Sequence, residues 1–327
     1  MFLVNLPVAA LVIVVALGHV PESRDTVSAP GLDLAGAALT AGGLAGVTYA
    51  LTRLGEGGGD TEVLAAGAAG MAALVAFVLV ERRSPHPLVP LELFADRRFS
   101  VTNAVTLLVY AGLGLFFFLL VQHLQIVAGF SPLVAGTALL PVTGLMLVLS
   151  ARAGALAERI GPRLPMTVGP LLAAAGFLLT LRIGPGASYL ADVLPAVGVL
   201  GLGLSLTVAP LTATVLGSAD PRYAGTASGV NNAIARTGSL LAVAVVPAAA
   251  GLAGTDYANP VDFNSGFQHA MLIGAALLTL GALLAAALLR EHRPAPAPPA
   301  AAPQRIHLER CPHCGVTGPQ LYPESPS

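Results

Sequence analysis

Nine long apolar runs constrain this chain more than any other feature: Leu3–Val20, Leu32–Leu54, Val63–Val80, Ser100–Gln122, Pro132–Ser150, Met166–Ile183, Tyr189–Leu216, Ala227–Leu252 and Phe267–Leu289. Each approaches the ~20 residues that a helix needs to cross a hydrocarbon core about 30 Å thick. The runs are continuous rather than alternating, which excludes a transmembrane β-barrel. Only 10% of residues are charged and the mean hydropathy is +0.79, whereas soluble domains carry roughly a quarter charged residues. The expected fold class is an all-α membrane protein with nine transmembrane helices, partnered by the lipid bilayer. The first run lacks a basic leader, so it reads as a span and not as a signal peptide.

Charge placement orients the spans. All 16 basic residues are Arg. One set of alternate loops carries Arg24, then Arg82, Arg83, Arg97 and Arg98, then Arg152, Arg159 and Arg163, then Arg222, then Arg290, Arg293, Arg305 and Arg310. The other set carries only Arg53 and Arg182. The positive-inside rule makes the first set, and with it the C-terminus, cytoplasmic. An odd number of spans then puts Met1 outside, and the expectation is that upstream sequence is missing.

Several functions are excluded. Without Lys there is no P-loop and no Schiff-base chemistry. A net charge of −1 offers no field for nucleic acid. An intramembrane enzyme is a distant alternative, since neither HExxH nor an Asp-rich prenyl-diphosphate motif is present. The two Cys give no disulfide framework. His307, Cys311, His313 and Cys314 resemble one knuckle of a zinc ribbon. A structural site needs four ligands, usually from two knuckles, and the second is absent, so no metal is expected.

Four regions follow: three helices over 1–80, a cytoplasmic connector over 81–99, six helices over 100–290, and a Pro/Ala-rich tail over 291–327 that cannot bury a core. In the connector, Leu91, Leu93, Phe94 and Phe99 alternate with Glu92, Asp96, Arg97 and Arg98. Both an amphipathic surface helix and an ordered charged loop fit that pattern.

Polar groups inside spans are costly and are the first functional candidates. Arg236 is the strongest, since a central Arg costs roughly 2.5–3.5 kcal/mol on insertion scales. Ser228, Asn232, Arg236 and Ser239 recur at helical spacing. Snorkelling of Arg236 to the cytoplasmic surface is the competing account. In the fourth run Asn103, Thr106, Tyr110, Gly114 and Phe117 share a face that suits a cavity wall, with Gln122 at its outer end; for Thr106 and Gly114 plain packing is preferred. All 17 carboxylates fall in loops, span ends or the tail, so no proton carrier sits mid-membrane. His123 and His269 are expected as solvated interfacial groups. Gly42 with Gly46, and Gly225 with Gly229, are expected to let helices approach closely.

The residues also resemble a family. MFLVNLPVAALVIVVALGHVPESR at the start, HPLVPLELFADRRFS at His86–Ser100, LVQHLQIVAGFSPLVAGTALLP at Leu120–Pro141, GALAERIGPR at Gly154–Arg163 and AGTASGVNNAIARTGSLLAVAV at Ala224–Val245 are similar to segments of the fourteen-helix drug:proton antiporters of the major facilitator superfamily. The resemblance runs to about residue 290. It implies helix six, two extra helices and the complete C-terminal six-helix half of that fold. It also implies export of small hydrophobic substrates, powered by a proton gradient with no bound cofactor, in a bacterial plasma membrane. Asn103, Tyr110, Phe117, Gln122, Asn232 and Arg236 would line the substrate cavity. Gly154, Glu158, Arg159, Gly161 and Arg163 would form a cytoplasmic gate motif, with Glu158 where Asp is usual. The first five helices of the family, with their coupling acids, have no counterpart. The chain is therefore expected to be an N-terminally truncated portion, with an inactive remnant or one half of a split transporter as alternatives.

Overall fold

The computed structural model describes residues 5–19, 33–55, 57–84, 89–220, 223–252 and 254–289. Those residues are helical throughout, apart from short connections: α1 (Asn5–His19), α2 (Leu34–Gly55), α3 (Thr61–Glu81), α4 (Arg97–Ile126), α5 (Pro132–Thr137), α6 (Leu140–Ile160), α7 (Arg163–Thr180), α8 (Leu194–Ser218), α9 (Ala224–Ala249) and α10 (Pro260–Leu288). The tail ligands His307, Cys311, His313 and Cys314 lie outside the described residues.

Eight segments are long and apolar enough to cross a membrane, with α5 and α6 forming one span and Tyr189–Ser218 another. They coincide with eight of the nine apolar runs. The first run differs. Its helix α1 has 15 described residues, about 22 Å at 1.5 Å per residue, and the residues on either side of it lie outside the described ones. Leu6, Leu11 and Leu17 on it are exposed.

The break between α5 and α6 has a local cause. Pro141 stands in the first turn of α6, where its missing N–H and ring interrupt the helix that would otherwise run on from Thr137. Ser131 starts α5 by accepting from the Val134 N–H. In α7 and α8 the internal prolines Pro170 and Pro210 are tolerated because packed neighbours stabilise the interrupted turns.

Among the described residues of the connector, Leu91–Ala95 form a 3-10 turn. Leu93 is buried while Phe94 stays exposed and meets Phe99 edge-on, with ring centroids 5.3 Å apart. Asp96 then caps α4, accepting from Phe99 N–H at 2.8 Å. Glu81 is buried at the end of α3, and its carboxylate accepts from Val89 N–H at 3.4 Å. Among the described residues Glu81 is the one buried carboxylate, and it lies at a helix end rather than mid-span.

Helices pack in the order α6, α8, α7, α10, α4, α9, α2, α3. Glycine permits the closest approaches. A Cβ on Gly203 would fall on the Ala173 backbone and within 2.7 Å of Gly169 O, and one on Gly70 would lie 2.7 Å from Val47 N and 2.8 Å from Gly43 O. Gly46 takes part in the α2–α3 contact as expected, but Gly42, Gly225 and Gly229 face open space. The α2 glycines that meet the α3 backbone are Gly43 and Gly46. Contacts that rise together in residue number make α4 and α9 parallel, whereas α4 and α10 run antiparallel. Arg97, Arg98, Arg159 and Arg163 consequently gather at one end of the bundle, and Arg53 and Arg182 lie at the other, the same division that the sequence makes.

Candidate functional site

Helix α9 carries the site. Arg236 sits about 18 Å along it from Ala224 at 1.5 Å per residue, too deep for an Arg side chain to reach past the helix end. Its side chain is exposed, as are Gly229 and Asn232 on the same face. Asn232 donates to Ser228 O at 3.1 Å. Tyr110 of α4, half-buried, lies within electrostatic reach of the Arg236 guanidinium. Phe117 is 40% exposed two turns further along α4. Tyr110, Phe117, Asn232 and Arg236 thus belong to neighbouring exposed or half-buried faces of two packed helices.

The other sequence candidates separate from this group. Asn103 is 3% exposed. It donates to Phe99 O at 3.0 Å, and its Oδ1 is buried with no partner among the described residues. It sits in the helix packing and not on the open face. Gln122 lies at the far end of α4 and donates to Phe118 O at 2.9 Å. Ser239 packs on Gly114, and Thr106 Oγ1 donates to Asn231 Oδ1 at 2.8 Å, so Thr106 and Gly114 serve the α4–α9 contact. The buried asparagine of α9 is Asn231, one residue from the exposed Asn232. The NN pair alone cannot assign these roles, since adjacent residues point about 100° apart on a helix.

His123 corrects a sequence expectation. It is fully buried, and its ring stacks on Phe267 with centroids 3.8 Å apart. Its Nε2 lies 2.9 Å from Asn264 Oδ1, so Nε2–H donates to that oxygen when the ring is neutral. It joins α4 to α10 and is not an interfacial group. His269 is part-buried, with Nδ1 3.3 Å from Ala250 O.

The loop motif lies at the Arg-rich end. Gly161 ends α6 with φ +86°, a left-handed conformation that favours glycine. Glu158 and Arg159 are exposed on the last turn of α6, and Gly154 is half-buried. Arg163 Nε donates to Ala286 O at 2.8 Å, placing a cation against the C-terminal carbonyls of α10. Among the described residues no cluster of His, Cys, Asp or Glu could hold a metal ion.

Residues 1–243 match the family model of the Major Facilitator Superfamily. The chain is 37% identical over 300 residues to the puromycin resistance protein of Streptomyces alboniger, covering 88% of this chain and 59% of that protein. It is 36% identical over 247 residues to the lincomycin resistance protein of Streptomyces lincolnensis, covering 75% and 50% respectively. It is 33% identical over 248 residues to the multidrug resistance protein Stp of Mycobacterium tuberculosis, covering 75% and 45%. The chain spans about half the length of the curated relatives that it matches.

Proposed function

The chain belongs to the Major Facilitator Superfamily, and we propose that it forms the C-terminal portion of a proton-coupled exporter of small hydrophobic molecules or drugs. The observation that carries this reading is the exposed face of α9, where Asn232 and Arg236 stand mid-span beside Tyr110 of α4. An exposed cation at that depth is costly against lipid and useful against a water-filled path. In such transporters substrate sites lie near the midplane, between halves that rock against one another. Tyr110, Phe117, Asn232 and Arg236 would line this portion's side of the path, with Gln122 at its outer end. Asn103 would hold the wall from behind.

Glu158, Arg159 and Arg163 would hold a cytoplasmic gate, with Gly154 and Gly161 shaping their loop. The Arg-rich end would face the cytoplasm of a bacterium, and α10 would lead to a cytoplasmic tail. The partner would be a set of helices equivalent to the portion of the relatives that this chain does not cover. That arrangement includes the reading of a split transporter, and an inactive remnant is its negative outcome.

The test is efflux from a drug-sensitive bacterium expressing the chain alone, or together with the front portion of the puromycin resistance relative. Efflux restored by the pair, abolished by a protonophore and lost in Arg236→Ala is the expected result. Efflux by neither combination would overturn the export reading. Efflux unchanged by Arg236→Ala would remove that residue from the path.

A further inference from the structure

Around α9, Gly229, Asn232, Leu240, Val243 and Pro247 all lie within about 40° of Arg236 at 3.6 residues per turn. The face changes character at Arg236. On its N-terminal side it is small and polar. On its C-terminal side, Leu240, Val243 and Pro247 form one wall of a cleft of about 450 Å³ between α9 and α2. Thr48 and Thr52 of α2 form the opposite wall, and Phe118 of α4 also lines it. Among the described residues, no charged residue lines the cleft. It begins at Leu240, one turn or about 6 Å beyond Arg236 along the axis.

A fixed cation and an apolar cleft thus share one helix face. The guanidinium is exposed, and no carboxylate pairs with it among the described residues. A weakly hydrated, forked cation at that depth favours a planar oxyanion held by two parallel hydrogen bonds. The cleft has the size and lining of a small-molecule pocket, mostly apolar with a few hydroxyls. Charge complementarity at one end and hydrocarbon at the other select one kind of occupant.

We propose that Arg236 and the α2–α9 cleft form a single binding site for an amphipathic monoanion, with its carboxylate or sulfonate on Arg236 and its aliphatic or aromatic body between α2 and α9. This deepens, and rests on, the reading that Arg236 faces a transport path. It also assigns a task to α2, which supplies the second wall.

The test is equilibrium binding to the full chain in phosphatidylcholine nanodiscs. The probes are a dansyl-labelled fatty acid, its methyl ester and the matching alkylamine. The acid should bind at least tenfold tighter than the ester, and the amine more weakly than either. Arg236→Gln should erase the preference for the acid without changing ester binding, and Arg236→Lys should keep part of it. Val243→Phe, which fills the cleft, should weaken acid and ester alike. Far-UV circular dichroism identifies any variant that has lost its helices, and the Lys variant then carries the comparison.

An acid preference that survives Arg236→Gln, or binding that is indifferent to Val243→Phe, would overturn the proposal. So would loss of the preference when phosphatidylglycerol is added, because Arg236 would then hold a lipid headgroup. Acid-selective binding with no efflux would leave this site standing and remove the export reading. Efflux with no acid preference would do the reverse.

Discussion

Thr106 Oγ1 donates to Asn231 Oδ1 at 2.8 Å across the α4–α9 contact. Both side chains are buried, and the bond joins two parallel helices whose outer faces carry Tyr110 and Arg236. The same hydroxyl also lies 2.9 Å from Thr102 O, so its single proton is shared between a local and an inter-helix acceptor. In this packing Asn231 turns inward and Asn232 outward.

Thr106→Val keeps the shape and removes the donor. Double-mutant measurements on membrane helices give about 0.6 kcal/mol for such a bond, with a maximum near 1.7. The variant should lose stability within that range in detergent unfolding titrations, and Asn231→Ala in the same background should add little more. Clearly additive losses would mean that the two side chains are not coupled.

The glycine contacts make opposite predictions at positions that look alike in sequence. Gly203→Ala drives a methyl group into the backbone of α7 and should cost about 1–3 kcal/mol through overpacking. Gly229→Ala meets nothing within 4 Å and should be neutral or stabilising by up to about 1 kcal/mol, since alanine is the better helix former. Thermal unfolding of the purified variants in one detergent checks both.

His123 should behave as a packing residue with one polar bond. His123→Phe keeps a ring against Phe267 and loses the bond to Asn264, at a cost of about 1 kcal/mol. His123→Ala also opens a cavity and should cost about 2–5 kcal/mol. Equal losses in the two variants would show that the stacking contributes nothing.

Arg163 should protect the end of α10. Its bond to Ala286 O and the favourable placement of a cation at a helix C-terminus are worth about 0.3–1 kcal/mol. Arg163→Ala should raise hydrogen exchange in the last turn of α10 and leave the middle of that helix unchanged. Faster exchange throughout α10 would point to a wider loss of packing instead.

Sidedness has its own test. With Cys311 and Cys314 changed to Ser, a cysteine at Arg53 should react with a membrane-impermeant maleimide on intact cells. A cysteine at Arg98 should react only after lysis. Reversed labelling would invert the orientation drawn from arginine placement.

The sequence by itself determined the solvent of this protein, eight of its membrane helices, the division of its arginines between two ends, and the mid-span position of Arg236. Each is a local property, because hydropathy over ~20 residues and position along a helix need no neighbour to define them. Only the tertiary structure decided which way the polar residues face. Asn103 shares a helical face with Tyr110 by spacing, yet it is buried while Tyr110 remains half-exposed. His123 looked like a headgroup residue until α10 brought Phe267 and Asn264 against it. Gly43, and not Gly42, meets α3, while Gly225 and Gly229 meet nothing. The cleft beside Arg236 exists only because α2, far away in sequence, packs on α9. The physical reason is rotational. In lipid, apolar surface surrounds every helix, so hydrophobicity alone does not select an inner face. Close packing and a few inter-helix hydrogen bonds select it, and both depend on partners distant in the chain.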